Sequence, residues 1–195
     1  MEIPNIVERW SGEVTEVTLG ATKEEGGTRK KIIKLGGANC IPYIDFEGCP
    51  GHRPVIAMDV LDIVPEEWPE VLLEPFKEVV SSPREWAKKC VEEYGADLIC
   101  LKLDSIHPDK GNKSAEEAVK TVQSVLQAVE VPLIIWGCDD PRRDNEVMPR
   151  VSQAATGERC LLASATQDNY KTLAALCLAD GHNLVTQAPV DVNIQ

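Results

Sequence analysis

Residues 81–103, SSPREWAKKCVEEYGADLICLKL, constrain the fold more than any other stretch, because they specify the start, both faces and the stop of a helix and then a strand. Ser82 stands where a cap belongs, Pro83 takes the first helical position, and Glu85 lies three residues after the cap to complete a capping box. Trp86, Ala87, Cys90, Val91 and Tyr94 recur at helical spacing, so they are expected to point inward, while Arg84, Lys88, Lys89, Glu92 and Glu93 fill the wet face. Gly95 supplies a left-handed stop, and Leu98-Ile99-Cys100-Leu101 is a short apolar run suited to a parallel strand buried on both faces.

The same unit recurs. Residues 55–61, VIAMDVL, read as the first strand of the series, followed by irregular, partly helical sequence over 65–80. Ser114 and Glu117 form a second capping box ahead of a helix with Ala118, Val119, Val122, Val125 and Val129 on one face. Residues 132–136 give another strand. Asp140-Pro141 then opens helical sequence that is expected to be interrupted at Pro149, and 160–165 forms the next strand. Asp168 is expected to cap a helix over 169–179 with Tyr170, Leu173, Ala174 and Cys177 inward, Gly181 stops it, and Leu184 begins a fifth strand.

Strands alternating with helices require a parallel sheet with crossovers, either doubly wound or closed as a barrel. No Gly-rich phosphate fingerprint follows any strand. Instead the strand ends carry polar groups: Asp59 and Asp62; Lys102, Asp104 and Ser105; Gly137, Cys138 and Asp139; Thr166, Asp168 and Asn169; Asp191 and Asn193. Polar loops after apolar strands suit a barrel mouth, and a full barrel takes eight strands and about 250 residues, whereas about five strands are readable here. The expected fold is therefore α/β, an incomplete (β/α)8 TIM-type barrel over 55–195, preceded over 1–54 by an N-terminal β-hairpin (13–19 and 31–35) and a Gly- and Pro-rich loop at 36–54.

Composition narrows the function. At 195 residues, with 43% apolar but only 5% aromatic residues, the chain suits one aliphatic α/β core. A net charge of -12 argues against a nucleic-acid or anionic-membrane surface, because phosphate binding needs a positive field, so neither is expected as partner. No run approaches the roughly 18 apolar residues of a membrane span, and the opening MEIPNIVERW lacks the segments of a signal peptide, so a cytoplasmic chain is expected. The seven cysteines contain no CxxC pair, which reads as reduced, mostly buried thiols. His52, His107 and His182 stand apart in loop-like contexts and are expected in surface or turn roles, with no metal site implied.

Several segments carry a family likeness: GGANCIPYIDFEG, PVIAMDVLD, WAKKCVEEYGADLICLKLDS, VPLIIWG, LLASATQDNYKTLAALCLADGH and PVDVNI. From about Gly36 onward the chain resembles the small subunit of the corrinoid iron–sulfur protein, also called the delta subunit of the acetyl-CoA decarbonylase/synthase complex. The resemblance implies a TIM barrel like that of pterin-dependent methyltransferases and a larger partner subunit bearing an iron–sulfur cluster and a cobamide that lies over the barrel mouth. It also implies transient contact with a tetrahydropterin methyltransferase and acetyl-CoA synthase, between which the cobalt carries a methyl group; the small subunit positions and shields, with no catalytic residue of its own. In that family a sequence like PVDVNI runs on into a helix and further βα units, whereas here the sequence stops at Gln195.

Under this resemblance the strand-end residues become corrinoid contacts, each with an ordinary alternative. Asp59 and Asp62 either orient corrin amides or serve as turn formers and caps. Lys102 in an apolar strand either meets the ligand or pairs with a carboxylate such as Asp104. Asp168 and Asn169 either bind at a helix N-terminus or simply cap it. Asp191 and Asn193 resemble the residues with which pterin-binding barrels read the pterin ring. Trp86 is expected in the core and Trp68 at a subunit interface. Two competing readings remain: a methyltransferase that binds methyl-tetrahydropterin in its own barrel, and a structural chain that touches no cofactor.

Overall fold

The computed structural model describes residues 7–188 together with Asp191 and Asn193; residues 1–6, the start of the stretch read as lacking a signal peptide, lie outside it, as do the remaining residues of PVDVNI. The chain opens with β1 (Val17–Leu19) and β2 (Ile33–Leu35), which pair antiparallel as a separate two-stranded sheet. Five further strands follow: β3 (Ala57–Leu61), β4 (Leu98–Lys102), β5 (Leu133–Trp136), β6 (Leu161–Ala165) and β7 (Asn183–Thr186). They form one parallel sheet in strict chain order. Between β3 and β4 lie a short helical segment, α1 (Glu70–Leu73), a 3₁₀ turn, and α2 (Pro83–Glu92). The later crossovers are α3 (Ala115–Ala128), α4 (Pro141–Ala154) and α5 (Tyr170–Asp180).

Register decides which face each side chain takes. Val60, Leu101, Ile135 and Leu162 pair in one row, and all four are fully buried beneath α2 to α5, whose Trp86, Ala87, Cys90, Val122, Val125, Met148, Val151 and Leu173 join the same core. Rows offset by one residue take the opposite face: Asp59, Cys100, Ile134, Leu161 and Asn183, then Leu61, Lys102, Trp136 and Ala163. Among the described residues the helices pack in one core with the first face and the strand order does not reverse, an arrangement compatible with an incomplete α/β barrel.

The hairpin covers the helix-free face at the N-terminal ends of the strands. Leu19 and Ile33 bury against Leu98, with Ile134 and Leu161 packed alongside. Polar links hold it there: the Gly20 N–H donates to the Arg159 carbonyl at 2.9 Å, the Lys31 N–H to Glu130 at 3.2 Å, and the Asn183 amide donates to Thr18 O at 2.9 Å. Arg29, 4% exposed, pairs with Glu158 at 2.8 Å and donates to the carbonyls of Leu126 and Val129 at 2.6 and 2.5 Å.

The helix starts follow the sequence. Ser82 and Ser114 cap α2 and α3, and Gly95 takes φ 66° after α2; the full capping box forms at Ser114, whereas at α2 only the Ser82 side chain takes part, accepting from the Glu85 N–H, and the Glu85 carboxylate lies beside Arg84. Other expectations are corrected. Tyr94 and Tyr170 are 49% and 46% exposed rather than inward, since each lies at a helix end beyond the packed stripe. Asp168 does not cap α5; Asn169 occupies that position. Helix α4 runs through Pro149 without interruption, because Val147, Met148 and Val151 on its inner face are all buried and that packing outweighs the missing N–H. His182 is no surface residue: it is 8% exposed, its Nδ1 receives the Cys160 N–H at 3.2 Å, and its Nε2 lies 3.0 Å from the Ser152 carbonyl. Five cysteines are buried and all seven are free thiols, while Cys40 is half-buried and Cys49 exposed.

Two expectations test the N-terminal end. Arg29→Met leaves Glu158 buried without its partner and should lower the unfolding free energy by about 3–5 kcal/mol in denaturant titrations. Asp97 is bonded by Arg53 at 2.7 Å, by Lys31 at 2.7 Å and by the Ile56 N–H, and these hold its carboxyl well below the usual carboxylate range. A carboxyl depressed in the folded state stabilises above its unfolded pKa and loses that contribution as pH falls. Asp97→Asn should therefore lower the denaturation midpoint at pH 7, with the gap to the parent narrowing as pH drops below about 4.

Candidate ligand-binding rim at the strand ends

Lys102 is the last residue of β4 and faces the side of the sheet without helices. Its ammonium lies 2.6 Å from the Asp59 carboxylate and 5.9 Å above the Trp136 ring, on a half-exposed surface. Burial works against its charge, but the Asp59 hydrogen bond and charge outweigh this, so its pKa is raised and it stays a cation. The expected partner, Asp104, sits instead in the 3₁₀ turn beyond β4 and pairs with Lys110 at 2.5 Å. Beside Asp59, Cys100 is pushed up to about 12 by burial and then by that carboxylate, so its thiol is inert at neutral pH.

The loop after β5 turns on a close approach. A Cβ on Gly137 would stand 2.3 Å from the Asp144 carboxylate, so only glycine lets Asp144 reach the Cys138 N–H, which it accepts at 2.9 Å. Asp144, on the first turn of α4, is 3% exposed, and burial raises its pKa against the opposing pull of the Cys138 hydrogen bonds. Next door the Trp136 indole N–H donates to Asp139 at 2.9 Å, with Asp139 at φ 64°.

Two depressions open along this rim and share Asp139 and Pro141. One, of about 270 Å³, is lined by Trp136, Asp144, Ser164, Thr166, Asn169 and Gln187. The other, of about 610 Å³, is lined by His107, Asp140, Arg142, Asn145 and Asp168. A third, of about 390 Å³, lies apart beside Leu61, Val64, Trp68, Asp104 and Lys110. Trp68 itself is half-buried and stands edge-on to Trp86 at 5.8 Å.

A scan against family models matches residues 16–195 to CO dehydrogenase/acetyl-CoA synthase delta subunit. The chain belongs to this delta-subunit family. It is 39% identical over 189 residues to the acetyl-CoA decarbonylase/synthase complex subunit delta of Archaeoglobus fulgidus, covering 96% of this chain and 42% of that one. It is 40% identical over 190 residues to the subunit of the same name from Methanothermobacter thermautotrophicus, covering 97% and 47%. With the Methanocaldococcus jannaschii subunit it shares 38% over 189 residues, 96% of this chain and 46% of that one. The chain spans somewhat less than half the length of the curated relatives it matches.

Within this delta-subunit chain the thirteen strand-end residues fall into distinct groups. Asp59 and Lys102 pair on the helix-free face, Asp139, Thr166 and Asn169 line the adjoining depressions, Asp168 lines the larger one from an exposed position, and Gly137 and Cys138 lie behind the rim, Cys138 buried in the helix-side core. Asp62 and Ser105 stand apart as a buried stitch between β3 and β4, in which the Ser105 N–H donates to Asp62 at 2.8 Å and the Ser105 hydroxyl donates to its other oxygen. Asn169 is a second saturated knot, accepting from the Thr166 N–H at 2.7 Å and donating to the Ser164 carbonyl at 3.3 Å. Asp191 and Asn193 are exposed and bonded to each other at 2.8 Å.

Sequence reasoning missed Trp136 and Gln187 as lining residues, and Asp144 as well. The signal for Asp144 was present: a carboxylate on the same helical stripe as Val147, Met148 and Val151. Among the described residues no three metal-ligating side chains cluster, and no helix is long and apolar enough to cross a membrane.

The split between stitched and open groups is measurable. Asp62→Ala strands the buried Ser105 N–H and should cost about 1–3 kcal/mol in unfolding free energy. Lys102→Ala, which removes a half-exposed pair, should cost less than about 1 kcal/mol in the same titrations.

Proposed function

We propose that this chain is part of the delta subunit of an acetyl-CoA decarbonylase/synthase complex, and that its five-stranded wall is the N-terminal portion of a TIM-type barrel whose mouth covers a cobamide held by a larger, iron–sulfur-bearing subunit. The barrel reading is supported by strands in chain order, helices on one face and a hairpin at the opposite end from the rim. The observation that carries the corrinoid reading is the Asp59–Lys102–Trp136 cluster beside the open depressions around Asp139.

The donor set fits a corrinoid. Its rim carries carboxamides, whose N–H groups suit the acceptors of Asp139, Asp168, Thr166 and Gln187, and whose carbonyls suit the Lys102 ammonium. The Trp136 ring offers an apolar surface to the macrocycle. The cobamide, when bound, supplies the cobalt that takes up and gives back a methyl group between a tetrahydropterin methyltransferase and acetyl-CoA synthase. This chain's residues hold and orient the ring edge and exclude water from it.

A second reading, a methyltransferase that binds methyl-tetrahydropterin itself, is favoured by one feature. Asp144, a buried carboxyl whose pKa is raised by burial, lines the smaller depression with Asn169 and Gln187, a set of polar groups that suits the edge of a heterocycle.

Size-exclusion chromatography of the chain co-expressed with a corrinoid-bearing large subunit, with light-scattering mass and corrin absorbance on one peak, separates these readings. A defined heteromer with an altered corrin spectrum is expected, and Lys102→Ala should weaken that association about tenfold, or about 1.4 kcal/mol. Separate peaks, with methyl-tetrahydropterin bound by the chain alone, would overturn the corrinoid reading.

A further inference from the structure

The third depression, set apart from the other two, has one apolar wall and one acidic wall. It holds about 390 Å³ between the end of β3 and the 3₁₀ turn beyond β4, so it opens at the same end of the sheet as Lys102. Ile63, Val64 and Trp68 make the apolar wall. Trp68 is braced from behind: it meets Trp86 edge-on at 5.8 Å, Trp86 is 1% exposed, and Phe76 packs against Trp86 at 5.6 Å. Pro65 and Pro69 stand on either side of it in the chain and stiffen its loop. A large ring already held in place loses little freedom when a partner covers it, and such rings anchor protein interfaces.

On the acidic wall Glu66, Glu67 and Asp109 are exposed, while Lys110 is already bound to Asp104 at 2.5 Å. The carboxylates of Glu66, Glu67 and Glu70 make no ion pair among the described residues. Over residues 62–78 six acids stand against Lys77 alone, so whatever covers this patch has to bring positive charge. Beside the cleft Val64, Val71 and Leu72 are 45%, 75% and 51% exposed, and apolar surface rimmed by charge is the pattern of a protein contact.

These features choose among occupants. A second copy of this chain, net charge -12, would set acid against acid, and a nucleic acid or an anionic membrane meets the same repulsion. Among the described residues no three side chains group to hold a metal ion. A guanidinium suits both walls: its flat face stacks on an indole while its N–H fork donates to carboxylates.

We propose that this cleft docks a basic, arginine-bearing segment of the larger, corrinoid-bearing subunit. The docking rests on the reading above, that such a subunit covers this end of the sheet, and it adds a contact beyond the ring edge. The rim meets the cofactor, and the cleft meets the polypeptide that carries it. Glu66 and Glu67 steer the encounter, an effect that weakens with salt, whereas Trp68 holds the bound segment and sets its escape.

The test measures association and dissociation rates of the whole chain with the corrinoid-bearing large subunit at low and high salt. Glu66→Lys/Glu67→Lys should slow association at least about tenfold and flatten its salt dependence, and Trp68→Ala should speed dissociation at least about tenfold. A matched reversal at remote exposed positions, Glu24→Lys/Glu116→Lys, should change either rate less than about threefold. Glu66 and Glu67 pair with nothing, so their reversal keeps the fold, which circular dichroism checks even where Trp68→Ala disturbs the packing on Trp86. Argininamide should compete with the large subunit, and citrullinamide, its uncharged near-isostere, should not. A heteromer that forms as well with either cleft variant as with the parent, or that citrullinamide displaces as readily as argininamide, would overturn the docking and leave the corrinoid reading standing. Failure of the parent chain to bind the large subunit at all would overturn both.

Discussion

The guanidinium of Arg29 is the contact on which the polarity of this molecule depends. It projects from the hairpin connection into the protein, where it is 4% exposed, and it meets Glu158 as well as the carbonyls of Leu126 and Val129. Those carbonyls belong to the last turn of α3 and its cap, which have no partners within the helix. One side chain thus satisfies a helix end, neutralises a buried carboxylate after α4, and fixes the hairpin across the N-terminal ends of the strands. Because that end is sealed, the helix-free face opens only toward the C-terminal ends, where Asp59, Lys102 and Trp136 stand.

Along that open end, position and availability divide the polar groups. Asp62, Asn169 and Asp144 are buried and already bonded to backbone N–H groups of Ser105, Thr166 and Cys138, so much of their hydrogen-bonding capacity is spent on holding loops. Asp59 and Lys102 form a half-exposed pair of small net energy, which can be re-partnered at little cost. Asp139 and Asp168 are exposed, Asp139 with one bond from the Trp136 indole N–H. Under the proposed reading the exposed set is what a ligand would meet, while the buried set keeps the loops in register.

Much of this was legible in the sequence wherever a signal was local. Ser82 and Ser114 named the starts of α2 and α3, and the apolar runs named the strands. Signals that depend on register were not legible. Lys102 finds Asp59 because Asp59 lies opposite Cys100, one diagonal step away on the next strand, and no spacing along the chain reveals that pairing. His182 looked like a turn residue because it follows Gly181, yet the return of β7 beside β6 carries it under Cys160. Pro149 looked like a break because the cost of a missing N–H is local, whereas the packing of Val147, Met148 and Val151 that overrides it is tertiary.

The charge of the rim narrows what it can receive. Asp139, Asp140 and Asp168 line the larger depression with Arg142 as its one arginine, in a chain whose net charge is -12, so acceptors outnumber cations there. An acceptor-rich rim selects for ligands that present N–H groups, and carboxamides are neutral donors of that kind. Lys102 is held as a cation among these acids by Asp59 and by the Trp136 face, which places one donor for a carbonyl beside an apolar ring. The amide-edged macrocycle of the proposed cobamide suits both features.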